Sequence, residues 1–357
     1  MKFGSFVAAA CIGMGAMTLL SAEAKAQFYK DKTINIIVGS GAGGTMDTNA
    51  RQIAFNIGKY LPGNPDVVVQ NMPGGAALLA TNYVYEVAKP DGLTLYYGAF
   101  VPTAQLLGLE ELRADYNKFE IVGATAEIRA VVMRTDTPPG IKTPADIAKT
   151  TGFFVGGTSA SGSQEILNRL SLDILGIDYK MITGYGAGSE TRAAILRNEI
   201  QFLNNSYASL VRTFGDSIKA GEFIPVYYFC YIDKAGNIVR QEHIKDTPCF
   251  VDLYKEIRGD LPSGPAWDTL NFYSELSSKM LHILAAPPGT PKELTDQISE
   301  AYYKAMQDPA VIDFYKSQTG SGPEVASLED AHGVIQSMAT VSPEIVAVLK
   351  KYYESDN

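Results

Sequence analysis

The first half of the chain alternates short apolar runs with segments whose apolar residues recur every three or four positions. The runs at 34–38, 66–71 and 93–100 are rich in Val, Ile and Tyr and predict strands. The segments between them, 47–60 and 76–88, have the periodicity of helices. This rhythm predicts parallel strands that are joined by right-handed crossovers.

A second series of the same kind follows the first. Two strand-like runs occupy 119–134, and the segment 152–163 predicts a strand that feeds a loop of small residues before a helix. The run 222–232 is strongly β-prone, and the rest of the chain is predominantly helical in pattern. We therefore expect two successive α/β units, 28–120 and 125–220, with ligand-binding loops at the carboxyl ends of their strands.

The N-terminus has the pattern of a secretory signal peptide. Lys2 precedes an apolar run, 6–20, that is too short to span a bilayer, and Ala24-Lys25-Ala26 fits a cleavage site. We expect cleavage after Ala26 and a periplasmic location; the alternative is an uncleaved membrane anchor. In an oxidising compartment Cys230 and Cys249 either form a disulfide or remain two buried thiols, and their spacing leaves both open.

Composition narrows the classes of function. The chain has 357 residues, enough for two domains, and its net charge of −9 argues against nucleic-acid binding. Its three histidines are far apart, and neither a G-x-S-x-G motif, nor a P-loop, nor cysteines at zinc spacing occur. We therefore expect neither catalysis nor a cofactor nor a metal site.

The segment after the first strand has the spacing of a dinucleotide fingerprint. Gly39, Gly41 and Gly44 stand as G-x-G-x-x-G between strand and helix. A dinucleotide site would also need an acidic residue at the end of the second strand, but that strand ends in Gln70-Asn71. The same glycines let a ligand approach the backbone closely at a helix N-terminus, which favours an anion.

Three glycine-rich loops, 39–47, 156–164 and 183–190, share this character. They predict two half-sites that face each other across a cleft and offer backbone amides to a carboxylate; the alternative is ordinary turns and N-caps. Asp47 either caps the helix or contacts the ligand. Asn205 and Ser206 are polar cleft residues or part of a structural turn.

Short motifs throughout the chain resemble those of one family, the periplasmic solute-binding proteins of tripartite tricarboxylate transporters, called Bug proteins. The resemblance is carried, in order, by Ala42–Asp47 with Ala50-Arg51, Asn71–Gly75, Pro90–Leu95, Ser159–Ser163, Gly184–Gly188, Arg197–Ile200, Ala286–Pro291 and Asp308-Pro309.

The resemblance implies an α/β, two-domain periplasmic-binding-protein (Venus flytrap) fold, type II-like, with the ligand cleft between the domains. The first domain would span 27–123 and the second 124–225. Residues 226–357 would return to the first domain and add C-terminal helices, part of which pack on the second. The chain would cross between domains near 121–128 and 224–232.

The resemblance also implies an exported, non-catalytic protein that captures a small organic carboxylate and delivers it to integral membrane transporter subunits, and we expect a monomer. The alternatives are a ligand-binding sensor for a membrane receptor and an exported enzyme. With Asn205 and Ser206 added from the loop pattern, the expected ligand-binding residues are Ala42, Gly43, Gly44, Thr45, Asp47, Ser159, Ser161, Ser163, Tyr185, Gly188, Asn205 and Ser206.

Two features depart from the family pattern. Ser40-Gly41-Ala42 stand where the family has Phe and Pro, which affects the identity of the ligand. The segment Asp233–Asp268 is longer than is typical and carries Cys249 and Trp267. This segment is expected to form a different lid or partner surface.

Overall fold

The structure of the protein is a computed structural model that describes residues 28–158, 162–185, 188–319 and 321–354. The predicted signal peptide, 1–26, lies outside these residues. The strands are β1 Thr33–Val38, β2 Asp66–Asn71, β3 Thr94–Ala99, β4 Glu120–Thr125, β5 Arg129–Arg134, β6 Thr151–Gly156, β7 Asp178–Ile182, β8 Phe202–Ser206, β9 Phe223–Tyr228, β10 Tyr231–Ile232, β11 Ile238–Val239, β12 His282–Ala286 and β13 Val325–Ala326. The helices are α1 Thr45–Ile57, α2 Leu78–Glu86, α3 Pro102–Leu106, α4 Ser163–Ile174, α5 Gly188–Leu196, α6 Tyr207–Lys219, α7 Phe250–Arg258, α8 Pro265–Lys279, α9 Lys292–Met306, α10 Pro309–Thr319, α11 Leu328–Met338 and α12 Pro343–Glu354.

The first sheet has the strand order β13-β4-β12-β3-β1-β2. Strand β1 pairs in parallel with β2 and β3, and β12 is antiparallel to both β3 and β4. Alternate residues of the strands enter two separate cores. Ile36 packs with α1 and α9 on one face, and Ile37 packs with α2 and α11 on the other. Helices therefore cover both faces, as the strand–helix rhythm of the sequence predicted.

The second sheet has the order β7-β6-β8-β5-β9. Strand β6 is parallel to β7 and β8, whereas β5 is antiparallel to β8 and β9. Its core joins strand residues such as Val131 and Phe202 to apolar residues of α4 and α6. The two sheets confirm the predicted two-domain α/β fold class.

The chain passes from the first sheet to the second through 126–128, between β4 and β5. The return falls elsewhere than predicted, because the chain re-enters the first sheet at β12 and not near 224–232. After β9 it forms the hairpin β10–β11 and then α7 and the first part of α8, whose Phe250 and Trp267 pack in the core of the second sheet. Helix α8 makes the passage, since Leu270 and Tyr273 lie in the second core and Leu276 lies in the first.

The long segment that departs from the family pattern is thus attached to the second unit. Cys230 and Cys249 form a disulfide with a Cα–Cα distance of 5.6 Å, which closes a loop that contains the β10–β11 hairpin. The predicted run 222–232 is split into β9 and β10, because Tyr231 leaves the sheet to pair with Val239. Within the described ranges, no helix is both long and apolar enough to cross a membrane.

Candidate functional site

The loop between β1 and α1 presents backbone amides at a helix N-terminus. The first N–H groups of a helix have no acceptor within it, and the N-cap residue here is Gly44, which has no side chain to supply one. Gly43 has a φ of +81°, a left-handed conformation that side-chain-bearing residues rarely adopt. The glycines thus leave the start of α1 without a side-chain cap, the arrangement that an anion at a helix N-terminus would require.

Asp47 braces this loop from inside the first turn of α1. Its side chain is buried, with 4% exposed, and its Oδ2 accepts hydrogen bonds from the Gly43 N–H at 2.8 Å and from Arg51 Nε at 3.1 Å. Its Oδ1 accepts a hydrogen bond from Asn71 Nδ2 at 2.8 Å, and the same Nδ2 donates to the Ser40 carbonyl at 3.0 Å. Burial opposes ionisation, but the hydrogen bonds from Arg51, Gly43 and Asn71 together hold the pKa of Asp47 below its usual value. Of the two roles considered for Asp47, these contacts support backbone capping.

The second unit repeats this arrangement at the start of α4. Gly162 is the N-cap, and Glu165 stands three residues later, as Asp47 does after Gly44. The buried Glu165 carboxylate accepts hydrogen bonds from the Thr158 N–H at 2.5 Å and from the Thr158 hydroxyl at 3.0 Å. Glu165 was not among the residues expected from the sequence, although the spacing shared by "GTMD" and "GSQE" indicates it. The predicted residues Ser159 and Ser161 lie outside the described residues; Ser163 is the first residue of α4.

The remaining predicted residues lie at the ends of β7 and β8. Tyr185 follows β7, and its N–H donates to the Gly157 carbonyl at 3.3 Å, while Gly188 begins α5. Asn205 Oδ1 accepts a hydrogen bond from its neighbour's N–H at 2.8 Å. Ser206 is the N-cap of α6, and its hydroxyl accepts from the Ser209 N–H at 3.2 Å. Asn205 and Ser206 therefore have a structural part in the strand end, whatever else they contact.

A cavity of about 80 Å³ lies between the two sheets, beside the first crossing. The N-terminal turn of α1 contributes Thr45 and Asn49, and the start of α6 contributes Ser206 and Ala208. The other lining residues are Thr125, Ala126, Glu127, Ile128, His282, Tyr315, Ser321, Gly322 and Glu324. Helices from both units thus direct their N-termini toward one cavity, and their dipoles favour an anion there.

Of the predicted site residues, Thr45 and Ser206 line this cavity. The other described ones lie outside its lining, in loops, strand ends or the first turns of helices: Ala42, Gly43, Gly44, Asp47, Ser163, Tyr185, Gly188 and Asn205. The residue pattern thus identified the two helix starts, although it did not separate the residues that face the cavity from those that shape the loops.

Two carboxyl groups of the cavity were not expected from the sequence. Glu127 forms an ion pair with Arg129, at 3.2 Å between Oε2 and Nη1, and Arg129 also donates to Gln164 at the start of α4. Glu324 Oε2 accepts a hydrogen bond from the Ile128 N–H at 3.1 Å, across a sequence separation of 196 residues. Such a distant contact gives no local signal in the sequence, because it depends on where the chain returns to the first sheet.

The ring of Tyr97 packs against that of His282, which lines the cavity. Tyr97 is fully buried. Burial raises the pKa of Tyr97 to about 12, and the side chains of Thr125 and Asn49, both of which line the cavity, act in the opposite direction. Burial also lowers the pKa of His282.

No group of three or more His, Cys, Asp or Glu residues in the described part of the chain is arranged to hold a metal ion.

No protein-family model matches the chain. Among curated proteins, it is 28% identical over 311 residues to the UPF0065 protein in the TAR-I ttuE-ttuC' intergenic region of Agrobacterium vitis, and the match covers 84% of this chain and 79% of that protein. It is 25% identical over 346 residues to a UPF0065 protein of Bordetella pertussis, and that match covers 93% and 94% of the two chains.

Among solved structures, the chain is similar to the periplasmic binding protein BugD, with a TM-score of 0.65, 19% identity, and coverage of 91% of this chain and 98% of that one. It is similar to a TctC solute-binding protein from Polaromonas, with a TM-score of 0.59, 20% identity, and coverage of 92% and 99%. It is also similar to MatC from Rhodopseudomonas palustris with bound malate, with a TM-score of 0.62, 20% identity, and coverage of 90% and 98%.

The fold is therefore that of the periplasmic binding proteins. Within that class it is the fold of BugD and of the TctC solute-binding protein, so the resemblance that the sequence motifs predicted is confirmed.

Proposed function

We propose that this protein is an exported solute-binding protein that captures a small organic carboxylate between its two α/β units and delivers it to a membrane transporter. The observation that carries the proposal is the cavity between the sheets, at which the N-termini of α1 and α6 meet. Amides at helix starts bind an anion without any net positive charge on the protein, which suits a chain of net charge −9.

The similar structures support the same class of ligand. MatC is described with bound malate, and a second R. palustris protein, with a TM-score of 0.64 and 17% identity, is described with adipate. The same similarity and the predicted signal peptide support a periplasmic location and an interaction with membrane transporter subunits. The proposed ligand contacts are the amides of Ala42, Gly44 and Thr45, since the Gly43 N–H donates to Asp47, and the side chains of Thr45 and Ser206. The resemblance to Bug proteins adds Ser159 and Ser161 to these contacts; both lie outside the described residues.

The test is a thermal-shift screen of the protein without residues 1–26, after removal of co-purified ligand. The panel contains mono-, di- and tricarboxylates, including malate and adipate, with NAD as a control. A ligand that binds only the folded state raises the melting temperature as its concentration exceeds Kd. We expect a shift with at least one carboxylate, no turnover of that acid, and no shift with NAD.

A matched pair of glycine variants locates the site. A Cβ at Gly44 would meet the Gly41 carbonyl no closer than 3.7 Å, so Gly44→Val should fold but block the amides at the start of α1. Gly215→Val adds the same side chain in open space on α6 and should leave the shift intact. A shift with NAD alone, or no shift with any acid, would contradict the proposed function.

A further inference from the structure

The cavity combines features that act against each other. Two helix N-termini attract an anion to it, yet Glu127 and Glu324 place two carboxyl groups in its lining. Glu127 has a cationic partner in Arg129, so one acidic charge is balanced within the protein. Within the described part of the chain, the Ile128 N–H donates a hydrogen bond to the Glu324 side chain.

The groups that face Glu324 come from several elements. Glu127 belongs to the first crossing, His282 to β12 and Tyr315 to α10, while Arg129 of β5 faces Glu127. His282 is half-buried, and desolvation lowers its pKa, so it is neutral at pH 7 and supplies no compensating charge. Burial, followed by the charge of Glu127, raises the pKa of Glu324 to about 7, against the effect of the Ile128 hydrogen bond.

Glu324 also holds the segment that connects the two sheets. Its carbonyl accepts from the Ala126 N–H at 2.9 Å, and its side chain accepts from the Ile128 N–H at 3.1 Å. An anion that enters the cavity thus approaches a carboxyl group whose backbone is held against the crossing and which cannot move away without breaking its hydrogen bond to the Ile128 N–H.

We propose that Glu324 is part of the ligand-binding site and that a carboxylate ligand binds together with one proton, which the Glu324 side chain holds. The inference rests on the proposed function. A protonated Glu324 removes the repulsion between two anions in a small cavity, and its O–H becomes a hydrogen-bond donor to the ligand. The bound anion in turn favours that proton, because linkage between two ligands is reciprocal.

Isothermal titration calorimetry tests the inference, with malate, adipate or whichever acid gives the largest thermal shift as the probe. Carboxylic acids of this kind are ionised above about pH 6, so the probe itself does not titrate over the range used. We expect Kd to rise about tenfold between pH 7 and pH 8.5. In buffers of different ionisation enthalpy at pH 7.5, we expect close to one proton to be taken up per ligand.

Glu324→Gln keeps the size of the side chain and cannot titrate, so its Kd should not vary with pH and proton uptake should vanish. Glu329→Gln makes the same change on the exposed face of α11 and should keep the pH dependence of the original protein. If Glu324→Gln fails to fold, the buffer dependence of the binding enthalpy of the unaltered protein still shows whether a proton is taken up with the ligand.

Binding without proton uptake and with a constant Kd overturns the role of Glu324 and leaves the proposed function standing. If no carboxylate binds at any pH, the proposed function fails and this inference fails with it.

Discussion

The loop before α1 and the loop before α4 have the same construction but are stabilised in different ways. Each has a glycine N-cap and, three residues later, a buried acid that reaches back to an N–H of the loop. Asp47 also has Arg51 and Asn71 as partners, and Arg51 neutralises its charge. The Glu165 carboxylate accepts hydrogen bonds from both the N–H and the hydroxyl of Thr158, and the backbone of Gly157 lies very close to the Glu165 side chain.

The difference shows two ways to keep helix-start amides open. In the first loop an ion pair and an amide side chain fix the backbone. In the second loop close packing fixes it, since a Cβ at Gly157 would lie 2.6 Å from Cγ of Glu165. Charge changes should therefore disturb the first loop most, and changes of volume should disturb the second.

The largest expected effect concerns a cross-link that distinguishes the second unit. Replacing Cys230 and Cys249 together with Ala removes a disulfide of sequence separation 19 and should lower the free energy of unfolding by about 3 kcal/mol. Urea unfolding followed by circular dichroism measures this. Because the disulfide is outside the cavity lining, ligand affinity in the absence of urea should not change; an unchanged urea midpoint would show that the cross-link does not stabilise the fold.

Asp47→Ala tests the charge-based brace. The change leaves the Gly43 N–H, Arg51 and Asn71 without their shared acceptor and should cost about 2–3 kcal/mol, because unsatisfied buried donors lose their hydrogen bonds. It should also abolish the thermal shift with carboxylates. Asp66→Ala, at an exposed position of β2, is the control and should stay within about 0.5 kcal/mol of the original protein. Equal stability of the two variants would rule out the brace.

Gly157→Ala tests the packing-based brace. The added Cβ collides with Glu165, so we expect a loss of about 1–3 kcal/mol in chemical denaturation. The same change in a Glu165→Ala background should cost less, because the colliding atoms are gone, and the difference is the coupling energy. Gly215→Ala, where a Cβ meets nothing within 4 Å, is the control and should not destabilise. Additive costs of the two changes would contradict the predicted contact.

The smallest expected effect is a pH dependence that neither brace shares. The pKa of Glu324 is raised to about 7 from its ordinary value of 4.5, so the unfolded chain releases this proton at lower pH than the folded protein does. The contribution of Glu324 to the free energy of unfolding is therefore fully present below pH 4.5 and is lost as the pH rises to 7. Glu324→Gln should gain stability relative to the original protein over that range, reaching about 1–2 kcal/mol after allowance for partial exposure. The difference between their melting temperatures across pH measures this; a difference that does not change with pH would argue against the raised pKa.

The residue pattern anticipated much of the local structure. The predicted strands at 34–38 and 66–71 match β1 and β2, and the glycine-rich loops occur at strand ends as expected. For the site, the pattern selected Thr45 and Ser206 but missed Asn49, Glu127, His282 and Glu324. Asn49 lies one helical turn after Thr45, so the period of α1 could have indicated it. The two glutamates and the histidine meet only because distant segments converge at the first crossing.

By itself, the sequence determined the elements and their chemistry. Alternation of apolar residues defined the strands, glycine at the helix starts left amides open, and the spacing from glycine to acid is local enough to act within one turn. The tertiary structure alone decided that the segment after β9 folds onto the second sheet, that Cys230 meets Cys249, and that Glu324 lies beside Glu127. These outcomes depend on burial and on contacts between segments far apart in the chain, and such contacts leave no periodic pattern in either segment alone.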